Sequence, residues 1–361
     1  MKIVRVEPIL IKVPFQPQSR SGGRLALQGM DTLLVRVDTD DGLTGWGEAF
    51  GFRLCTTTWT AIETLVAPLC IGRDPTDIAS LMRDLQYRLH NYGRNGPAMF
   101  GLAGVNIALW DIAGKIVGLP LYRLLGGAPR THVPAYASLW RYGDADLVRR
   151  NVEEALARGY RELKLHEIEG GIVVAAREAA GPKIPLTLDV NCAWTAREAI
   201  DMSRRLAGMN IRWIEEPTWP PEDFAALAEV NKHGALPVAA GENIATPAEF
   251  SAMFRQGAVA FAQPSVAKIG VSAMREVAAL AATHNVALAP HSPYFGPGLI
   301  ATMHIVAAAG GDVAVERYYC DLEPGPLGEA INAVGDRFAL PNGPGLGLEI
   351  DEALLARYRV S

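Results

Sequence analysis

Residues 186–217 read LTLDVNCAWTAREAIDMSRRLAGMNIRWIEEP, and this stretch decides how the rest of the chain is interpreted. An apolar run ends in Asp189, a helical segment follows, and a second apolar run ends in Glu215. A third run, residues 236–241, is followed directly by Glu242. The three carboxylates are spaced 26 and 27 residues apart, which is the length of one strand and one helix. The pattern predicts parallel strands that each end in an acidic residue.

If these units are neighbours in a parallel barrel, their carboxylates meet at the rim where barrel enzymes carry their active sites. Carboxylate oxygens from separate strands are typical ligands of Mg²⁺, with water and substrate in the remaining positions. The alternative is that each acidic residue only caps the helix that follows it. Because three carboxylates occur in register, we predict a Mg²⁺ site at Asp189, Glu215 and Glu242.

The same alternation of strand and helix continues through the second part of the chain. After Gly126, eight apolar runs recur at intervals of 22 to 29 residues, and most precede an amphipathic helical segment. The runs are residues 133–138, 161–166, 185–190, 211–215, 236–241, 258–263, 285–290 and 313–317. Strands that alternate with helices imply parallel crossovers, so eight units predict a parallel β/α barrel.

The first part of the chain has a different pattern of apolar and polar residues. Apolar and polar residues alternate over 2–13, 32–38 and 43–48, with a turn at Asp40-Asp41-Gly42, which predicts a small antiparallel sheet. Helical periodicity follows to residue 125. We therefore expect a capping domain at 1–125 and a barrel at 126–325, with the tail, 326–361, packing back on the cap.

Composition excludes several classes of partner. The 361 residues carry a net charge of −5 with no basic run, which argues against nucleic acid or an anionic membrane surface. The alternating N-terminus is unlike a signal peptide, and we expect no window apolar enough to cross a bilayer. The four cysteines are scattered without a CxxC pair, so we expect reduced thiols in a cytoplasmic protein.

Further polar residues end the second and seventh barrel strands. Lys164 and His166 lie two positions apart, so they point the same way, and the apolar neighbours Leu163 and Leu165 point toward the helices. Lys164 would stay protonated and bind a substrate carboxylate, and His166 could accept a proton. His291 would reach the barrel mouth from the opposite side.

This set of residues suits a restricted chemistry. A metal and a cation can stabilise the enediolate that forms when the carbon next to a carboxylate loses its proton. A base on one face takes the proton, and a group on the other face returns one or assists a leaving β-hydroxyl. The polar loop at 16–28 carries Arg20 and Arg24. It is either a solvated surface loop or a lid whose arginines meet an anionic substrate.

Together these motifs resemble the enolase superfamily, and within it the mandelate racemase/muconate lactonizing enzyme group. Residues 186–217 are similar to the family's metal-site signature, which runs from D-x-N to I-E-E-P. Residues 101–127 resemble its other signature, with Asn106 where an acidic residue is usual. The resemblance implies an α/β fold, a (β/α)7β modified TIM barrel with an α+β N-terminal capping domain. It also implies one Mg²⁺ per active site, lid loops near 16–28 and 50–56, and a homo-oligomer.

The resemblance also implies roles for individual residues. Lys164 matches the first lysine of the family's K-x-K, and His166 takes the place of the second, the base on one face. His291 matches the histidine that mandelate racemase has on the other face. Glu316 matches the acidic residue that hydrogen-bonds the substrate carboxylate, and Asn191 lies beside the metal.

Two positions bear on the reaction. Ser265 stands where mandelate racemase has the aspartate that pairs with its histidine, so we expect His291 to lack such a partner. Lys268 matches either a second-face lysine of muconate-lactonizing relatives or a lysine of mandelate racemase itself. The candidate substrate-binding residues are Arg20, Arg24, Asn191, Lys268 and Glu316.

The resulting prediction is a Mg²⁺-dependent lyase or isomerase that acts on a small carboxylate substrate. Two histidines could serve as base and acid, which favours dehydration of a sugar acid or related hydroxy acid. Racemisation, epimerisation and cycloisomerisation are the alternatives within the same site. A catalytically silent metal- or ligand-binding barrel is the alternative from another class.

Overall fold

The computed structural model describes residues 1–16, 27–310 and 313–360. The chain begins with an antiparallel sheet of three strands in the order β1-β2-β3. These strands are β1 (Ile3–Pro14), β2 (Gly29–Thr39) and β3 (Thr44–Ala49). The helices that follow are α1 (Cys55–Ala61), a π-helical turn (Ile62–Val66), α2 (Ala67–Cys70), α3 (Ile78–Leu89), α4 (Pro97–Val117) and α5 (Leu121–Leu124).

Helix α4 packs directly across strand β3. A Cβ atom on Gly47 would lie 1.9 Å from the carbonyl oxygen of Gly104, so the two backbones approach closely only because glycine is present. With 21 residues and a mean hydropathy of 1.4, α4 is long and apolar enough to cross a membrane. The expectation that no window could do so is therefore wrong. Within the protein, 72% of the apolar window is buried, as in a core helix.

The second part of the chain forms the parallel barrel. Its strands are β4 (His132–Ser138), β5 (Leu163–Leu165), β6 (Leu186–Asp189), β7 (Ile211–Glu215), β8 (Val238–Ala240), β9 (Phe261–Ala262), β10 (Ala287–Leu288) and β11 (Val315–Tyr318). Parallel ladders run continuously from β4 to β10, and β11 pairs with β4 on its other side. Seven helices connect them: α6 (Ala145–Ala157), α7 (Gly170–Ala180), α8 (Ala196–Arg205), α9 (Phe224–His233), α10 (Pro247–Arg255), α11 (Val266–Thr283) and α12 (Pro297–Ala309). The predicted (β/α)7β fold is confirmed.

Short polar side chains start the barrel helices close to the strand ends. At α8, the Thr195 hydroxyl accepts the backbone N–H of Glu198, and the Glu198 carboxylate accepts that of Thr195. The side chains of Asp144, Asp223 and Thr246 cap α6, α9 and α10 in the same way. These caps satisfy the free N–H groups of the first helical turn.

The C-terminal tail contacts both parts of the molecule. The hairpin of β12 (Ala333–Val334) and β13 (Arg337–Ala339) extends the barrel sheet by pairing antiparallel with β4. Helix α13 (Glu352–Tyr358) instead packs on β1, where its apolar side chains share a buried cluster with those of the cap sheet. The domain limits at residues 125 and 325 stay predictions.

Candidate active site

A cavity of about 330 Å³ lies between the cap and the carboxyl ends of the barrel strands. Both parts of the chain line it. The cap contributes Met30, Thr32, Glu48, Phe50 and Phe52 among others, and the barrel contributes Lys164, His166, Asp189, Asn191, Glu242, Lys268, His291, Tyr294, Glu316 and Tyr318. The predicted rim residues within the described part of the chain therefore converge on, or border, one space.

Three carboxylates meet at the floor of this cavity. Asp189 ends β6, Glu215 ends β7, and Glu242 follows β8 after one glycine. One oxygen of each lies within 4.8 Å of the others. The Asp189 and Glu215 side chains are fully buried, and Glu242 is slightly more open. Three converging anionic oxygens are the donors that Mg²⁺ takes, so these residues fit the predicted ion.

Lys164 supplies a positive charge beside this cluster. Its Nζ lies 2.5 Å from Glu215 Oε1, 3.0 Å from Asp189 Oδ2 and 3.2 Å from Glu316 Oε1. Burial by itself would lower the pKa of Lys164, but the surrounding carboxylates outweigh burial and raise that pKa well above its ordinary value. Burial raises the pKa of Glu215 even with the ammonium alongside. Lys164 is therefore a permanent cation beside the three converging carboxylates.

His166 stands on one side of the acidic cluster. Its Nδ1 lies 2.5 Å from the carbonyl oxygen of Leu139, and its Nε2 lies 3.3 Å from Asp189 Oδ2. A carbonyl oxygen only accepts, so Nδ1 carries a proton and Nε2 faces the site. Burial would raise the pKa of Asp189, but Lys164 and His166 together hold it well below its usual range.

His291 stands on the other side. Its Nε2 lies 2.9 Å from Glu242 Oε2. Burial would raise the pKa of Glu242, but the charge and hydrogen bond of His291 lower it to about 2. On the far side of the ring, Nδ1 lies 3.0 Å from the hydroxyl of Ser265, which also contacts the hydroxyl of Tyr294. As expected, Ser265 and not a carboxylate stands beside Nδ1, but its hydroxyl is within hydrogen-bond distance, so the ring does have a partner on this side.

Glu316 lies within β11, and its carboxylate accepts hydrogen bonds from three groups. These are Lys164 Nζ, the Ser138 hydroxyl at 2.7 Å and the Ser292 backbone N–H at 3.0 Å. Burial would raise the pKa of Glu316, but Lys164 and these hydrogen bonds lower it. In this structure, Glu316 therefore holds the ammonium in place.

The remaining predicted substrate contacts fall into two groups. Asn191 donates its side-chain amide to Asp189 Oδ1 at 2.8 Å, and its left-handed backbone (φ 47°) turns it back toward the strand end. Lys268 donates to the backbone carbonyl of Glu242 at 2.7 Å and lies over the Phe50 ring. Both border the cavity. Arg20 and Arg24 lie outside the described residues.

Glu48 and Tyr294 are two polar cavity residues among those that the sequence analysis missed. Glu48, from the cap, accepts the backbone N–H of Gly298 at 2.8 Å at the start of α12. Burial raises the pKa of Glu48 to about 8 against these backbone hydrogen bonds. One feature of the sequence could have indicated Glu48, because it is the single charged residue in the strand TGWGEA. Tyr294 had no comparable signal, because its position depends on the loop that follows His291.

Comparisons with known proteins agree with this geometry. The family model for the N-terminal domain of mandelate racemase/muconate lactonizing enzyme matches residues 10–126. The model described as enolase C-terminal domain-like matches residues 147–354. The two models together match most of the chain, and the structure has the barrel, the three acidic residues at its rim and the α+β cap. The chain therefore belongs to the enolase superfamily. Within that superfamily it belongs to the mandelate racemase/muconate lactonizing enzyme group.

Individual relatives cover nearly the whole chain. A D-galactarolactone cycloisomerase of Agrobacterium fabrum is 32% identical, with 100% of this chain and 99% of the relative covered. A D-galactonate dehydratase of Ralstonia pickettii is 32% identical, with 90% of each chain covered. The crystal structure of a mandelate racemase/muconate lactonizing protein from Paracoccus denitrificans, complexed with magnesium, superposes with a TM-score of 0.86. That structure is 28% identical and covers 99% of this chain and 98% of its own.

Proposed function

We propose that this protein is a Mg²⁺-dependent lyase or isomerase of sugar acids. It removes the proton next to the substrate carboxylate and then expels an oxygen from the neighbouring carbon. The observation that carries this proposal is the pair of histidines on opposite sides of the acidic cluster, His166 beside Asp189 and His291 beside Glu242. The names of the relatives, a dehydratase of a sugar acid and a cycloisomerase of a sugar-acid lactone, support the substrate class.

Asp189, Glu215 and Glu242 would hold the Mg²⁺. When bound, the ion supplies positive charge that stabilises the enediolate left by loss of the α-proton. Lys164 adds a second, fixed positive charge within 3.0 Å of two of the ligands. Charge that is already in place when the proton leaves needs no rearrangement, which is why it lowers the barrier effectively.

His166 is the candidate base. Because its Nδ1–H is held by the Leu139 carbonyl, the nitrogen at which His166 would take up the substrate proton is Nε2, which lies beside Asp189 and faces the cavity. A positioned base of this kind contributes roughly 10²- to 10⁴-fold to the rate of proton removal. His291, on the opposite side of the cluster, assists the departure of the β-oxygen through its Nε2.

Two other outcomes use the same site. If His291 returned a proton to the α-carbon, the reaction would be racemisation or epimerisation. If no acid reacted, the chain would be a silent metal- or ligand-binding barrel. Elimination is favoured because racemisation in both directions also needs His291 as a base, and a neutral hydroxyl raises the basicity of an imidazole less than the aspartate of mandelate racemase does. A homo-oligomeric state and a cytoplasmic location stay predictions.

The test is a screen of sugar acids, their lactones and their anhydro forms with Mg²⁺ in D₂O. Mass spectrometry reports deuterium at the α-carbon, and a carbonyl reagent reports keto-acid product. We expect keto acid from at least one compound, and none with the His166→Asn variant. Deuterium without keto acid would replace elimination with racemisation or epimerisation. Mg²⁺ binding with neither signal across the panel would favour the silent barrel.

A further inference from the structure

Arg141 follows β4 in the chain, and its guanidinium contacts the residues that end the next two barrel strands. Its Nε donates to the backbone carbonyl of His166 at 2.5 Å. Its Nη2 donates to the side-chain oxygen of Asn191 at 3.0 Å and, less closely, to the backbone carbonyl of Val190 at 3.4 Å. All three acceptors are uncharged oxygens, which a guanidinium holds through the fixed directions of its N–H groups.

The two backbone carbonyls lie just beyond the parallel ladder. The ladder joins β5 to β6 as far as Leu165, and β6 to β7 as far as Asp189. His166 and Val190 are the next residues along these strands. A carbonyl oxygen beyond the last ladder pair needs another donor, since an unpaired polar group in the interior costs free energy. Arg141 supplies these donors and so ties the loop after β4 to the ends of β5 and β6.

The contact with Asn191 fixes which way round its side-chain amide lies. A guanidinium carries N–H donors and no acceptor, so the amide atom that faces Arg141 is the oxygen. The amide nitrogen then lies on the other side, where it donates to Asp189 Oδ1 at 2.8 Å. The reverse orientation would set N–H groups against the guanidinium and the amide oxygen against the carboxylate. Because arginine stays charged throughout the physiological pH range, this orientation does not depend on the titration of a neighbouring group.

We propose that Arg141 is a positioning residue that keeps Asn191 as a hydrogen-bond donor toward the cavity. Asn191 lines the cavity, and the terminal torsion of an asparagine has no strong preference of its own, so a partner outside the cavity decides its orientation. One N–H of the amide supports Asp189, one of the three converging carboxylates. Arg141 is not among the described residues that line the cavity, so it acts through Asn191 and not on a substrate.

The orientation of the amide also restricts what Asn191 can bind. Its second N–H can donate only to an acceptor, which in a sugar acid is a carboxylate or hydroxyl oxygen. A substrate amine in its ammonium form would find no acceptor at this point. The use of this N–H for a sugar acid rests on the proposed function, whereas the hydrogen bond to Asp189 exists without any substrate.

The first experiment measures the affinity for Mg²⁺ by isothermal titration calorimetry without substrate. Loss of a positive charge near the carboxylates would by itself strengthen the binding of a cation. Loss of a positioning residue weakens it, because Asp189 then loses the support of Asn191. For Arg141→Ala we expect affinity to fall about threefold to tenfold, less than the roughly 10- to 100-fold for loss of an outer-shell partner itself. Arg150→Ala, at an exposed arginine of α6, should change nothing, and an unchanged or higher affinity in Arg141→Ala would overturn the proposal.

A double-mutant cycle shows whether Arg141 acts through Asn191. Asn191→Ala removes the amide and should lower the affinity for Mg²⁺ about tenfold or more. Adding Arg141→Ala to that variant should cost less than about a further twofold, since no amide is left to orient. Effects that multiply in the double variant would contradict the proposal and assign the guanidinium a separate role at the strand ends. Circular dichroism checks that each variant is folded.

Arg141→Lys keeps the experiment decisive even if the alanine variant does not fold. Lysine retains the positive charge but not the planar fork of the guanidinium, so its Mg²⁺ affinity should lie between those of wild type and Arg141→Ala. Wild-type affinity in Arg141→Lys would show that charge alone is sufficient, which contradicts a positioning role.

Kinetics then tests the contact with the substrate. For Arg141→Ala at saturating Mg²⁺ we expect KM for the reacting sugar acid to rise about threefold to tenfold, as for loss of one hydrogen bond, with kcat changed less. The double variant with Asn191→Ala should show no further rise over Asn191→Ala. An unchanged KM in Arg141→Ala would overturn the substrate contact. If no sugar acid reacts at all, the proposed function fails, but the cycle in Mg²⁺ affinity still decides the role of Arg141.

Discussion

The ammonium of Lys164 lies 2.5 Å from the carboxylate of Glu215, and both side chains are completely enclosed by protein. Breaking a buried pair of this kind leaves an uncompensated charge, which typically costs about 3–5 kcal/mol. Asp189 and Glu316 also contact the ammonium, so loss of Lys164 would leave three buried carboxylates without their cation. Lys164 therefore contributes to stability as well as to the proposed chemistry.

The first prediction is that Lys164→Met destabilises the metal-free protein by about 3–5 kcal/mol, because the carboxylates lose their cation. Added Mg²⁺ should recover part of this loss, since it supplies positive charge at the same place. Urea unfolding in EDTA and in excess Mg²⁺ measures both effects. The exposed Lys183→Met is the control and should change neither curve. Equal stability of Lys164→Met and wild type in EDTA would contradict the prediction.

The second prediction is that Glu242→Gln abolishes metal-dependent turnover while the fold stays intact. Its affinity for Mg²⁺ should fall by more than the roughly 10- to 100-fold that is typical when an outer-shell partner is lost. Isothermal titration calorimetry measures the affinity, and circular dichroism checks the fold. Glu229→Gln removes the same charge from an exposed helix face and should bind normally. Unchanged turnover in Glu242→Gln would disprove its role as a ligand.

The third prediction separates the two histidines. His166→Asn should slow exchange of the α-proton by roughly 10²- to 10⁴-fold, because it removes the base. His291→Asn should retain much of that exchange and lose elimination. Mass spectrometry in D₂O and keto-acid detection measure the two steps on one substrate, with the exposed His233→Asn as the control. If both variants lost exchange equally, the assignment of His166 as the base would have to be abandoned.

The fourth prediction concerns stability at low pH. Burial lowers the pKa of His304 from 6.5 to about 4, even though its hydrogen bond to Leu346 acts in the other direction. The unfolded chain takes up a proton below pH 6.5 and the folded protein only near pH 4, so the free energy of unfolding falls as the pH drops between them. At 1.36 kcal/mol per unit, the full loss is about 3 kcal/mol.

Urea titrations at pH 7 and pH 5 measure the part of this loss that occurs above pH 5, about 2 kcal/mol. His304→Gln should be less stable at pH 7 and should show a smaller difference between the two pH values. His284→Gln, at an exposed histidine, should keep the wild-type difference. An identical pH dependence in His304→Gln and wild type would show that another group is responsible.

Much of the fold and of the acidic cluster was predictable because both depend on periodic features. Strands that alternate with helices define parallel crossovers, and the last residue of each strand must lie at one rim. Asp189, Glu215 and Lys164 were therefore located by spacing alone. Local alternation also separated Lys164 and His166 from Leu163, which faces the helices.

Other features of the site depend on tertiary contacts that no period encodes. Glu48 enters the cavity because the cap lies over α12, and Tyr294 reaches Ser265 because the loop after β10 folds back toward the start of α11. Neither contact follows from neighbouring residues in the sequence. Helix α4 shows the converse problem, since its composition alone cannot distinguish a core helix from a membrane span.

The tail described above has a consequence for how the molecule is made. Leu355 and Tyr358 of α13 cover Ile9 and Ile11 of β1, and the Val360 N–H bonds the Leu10 carbonyl at 2.8 Å. During synthesis, the face of β1 that carries Ile9 and Ile11 therefore stays exposed until more than three hundred further residues have left the ribosome. Strand β1 is made long before the helix that covers it, so each newly made molecule passes through a period in which this strand is exposed to chaperones and to wrong partners.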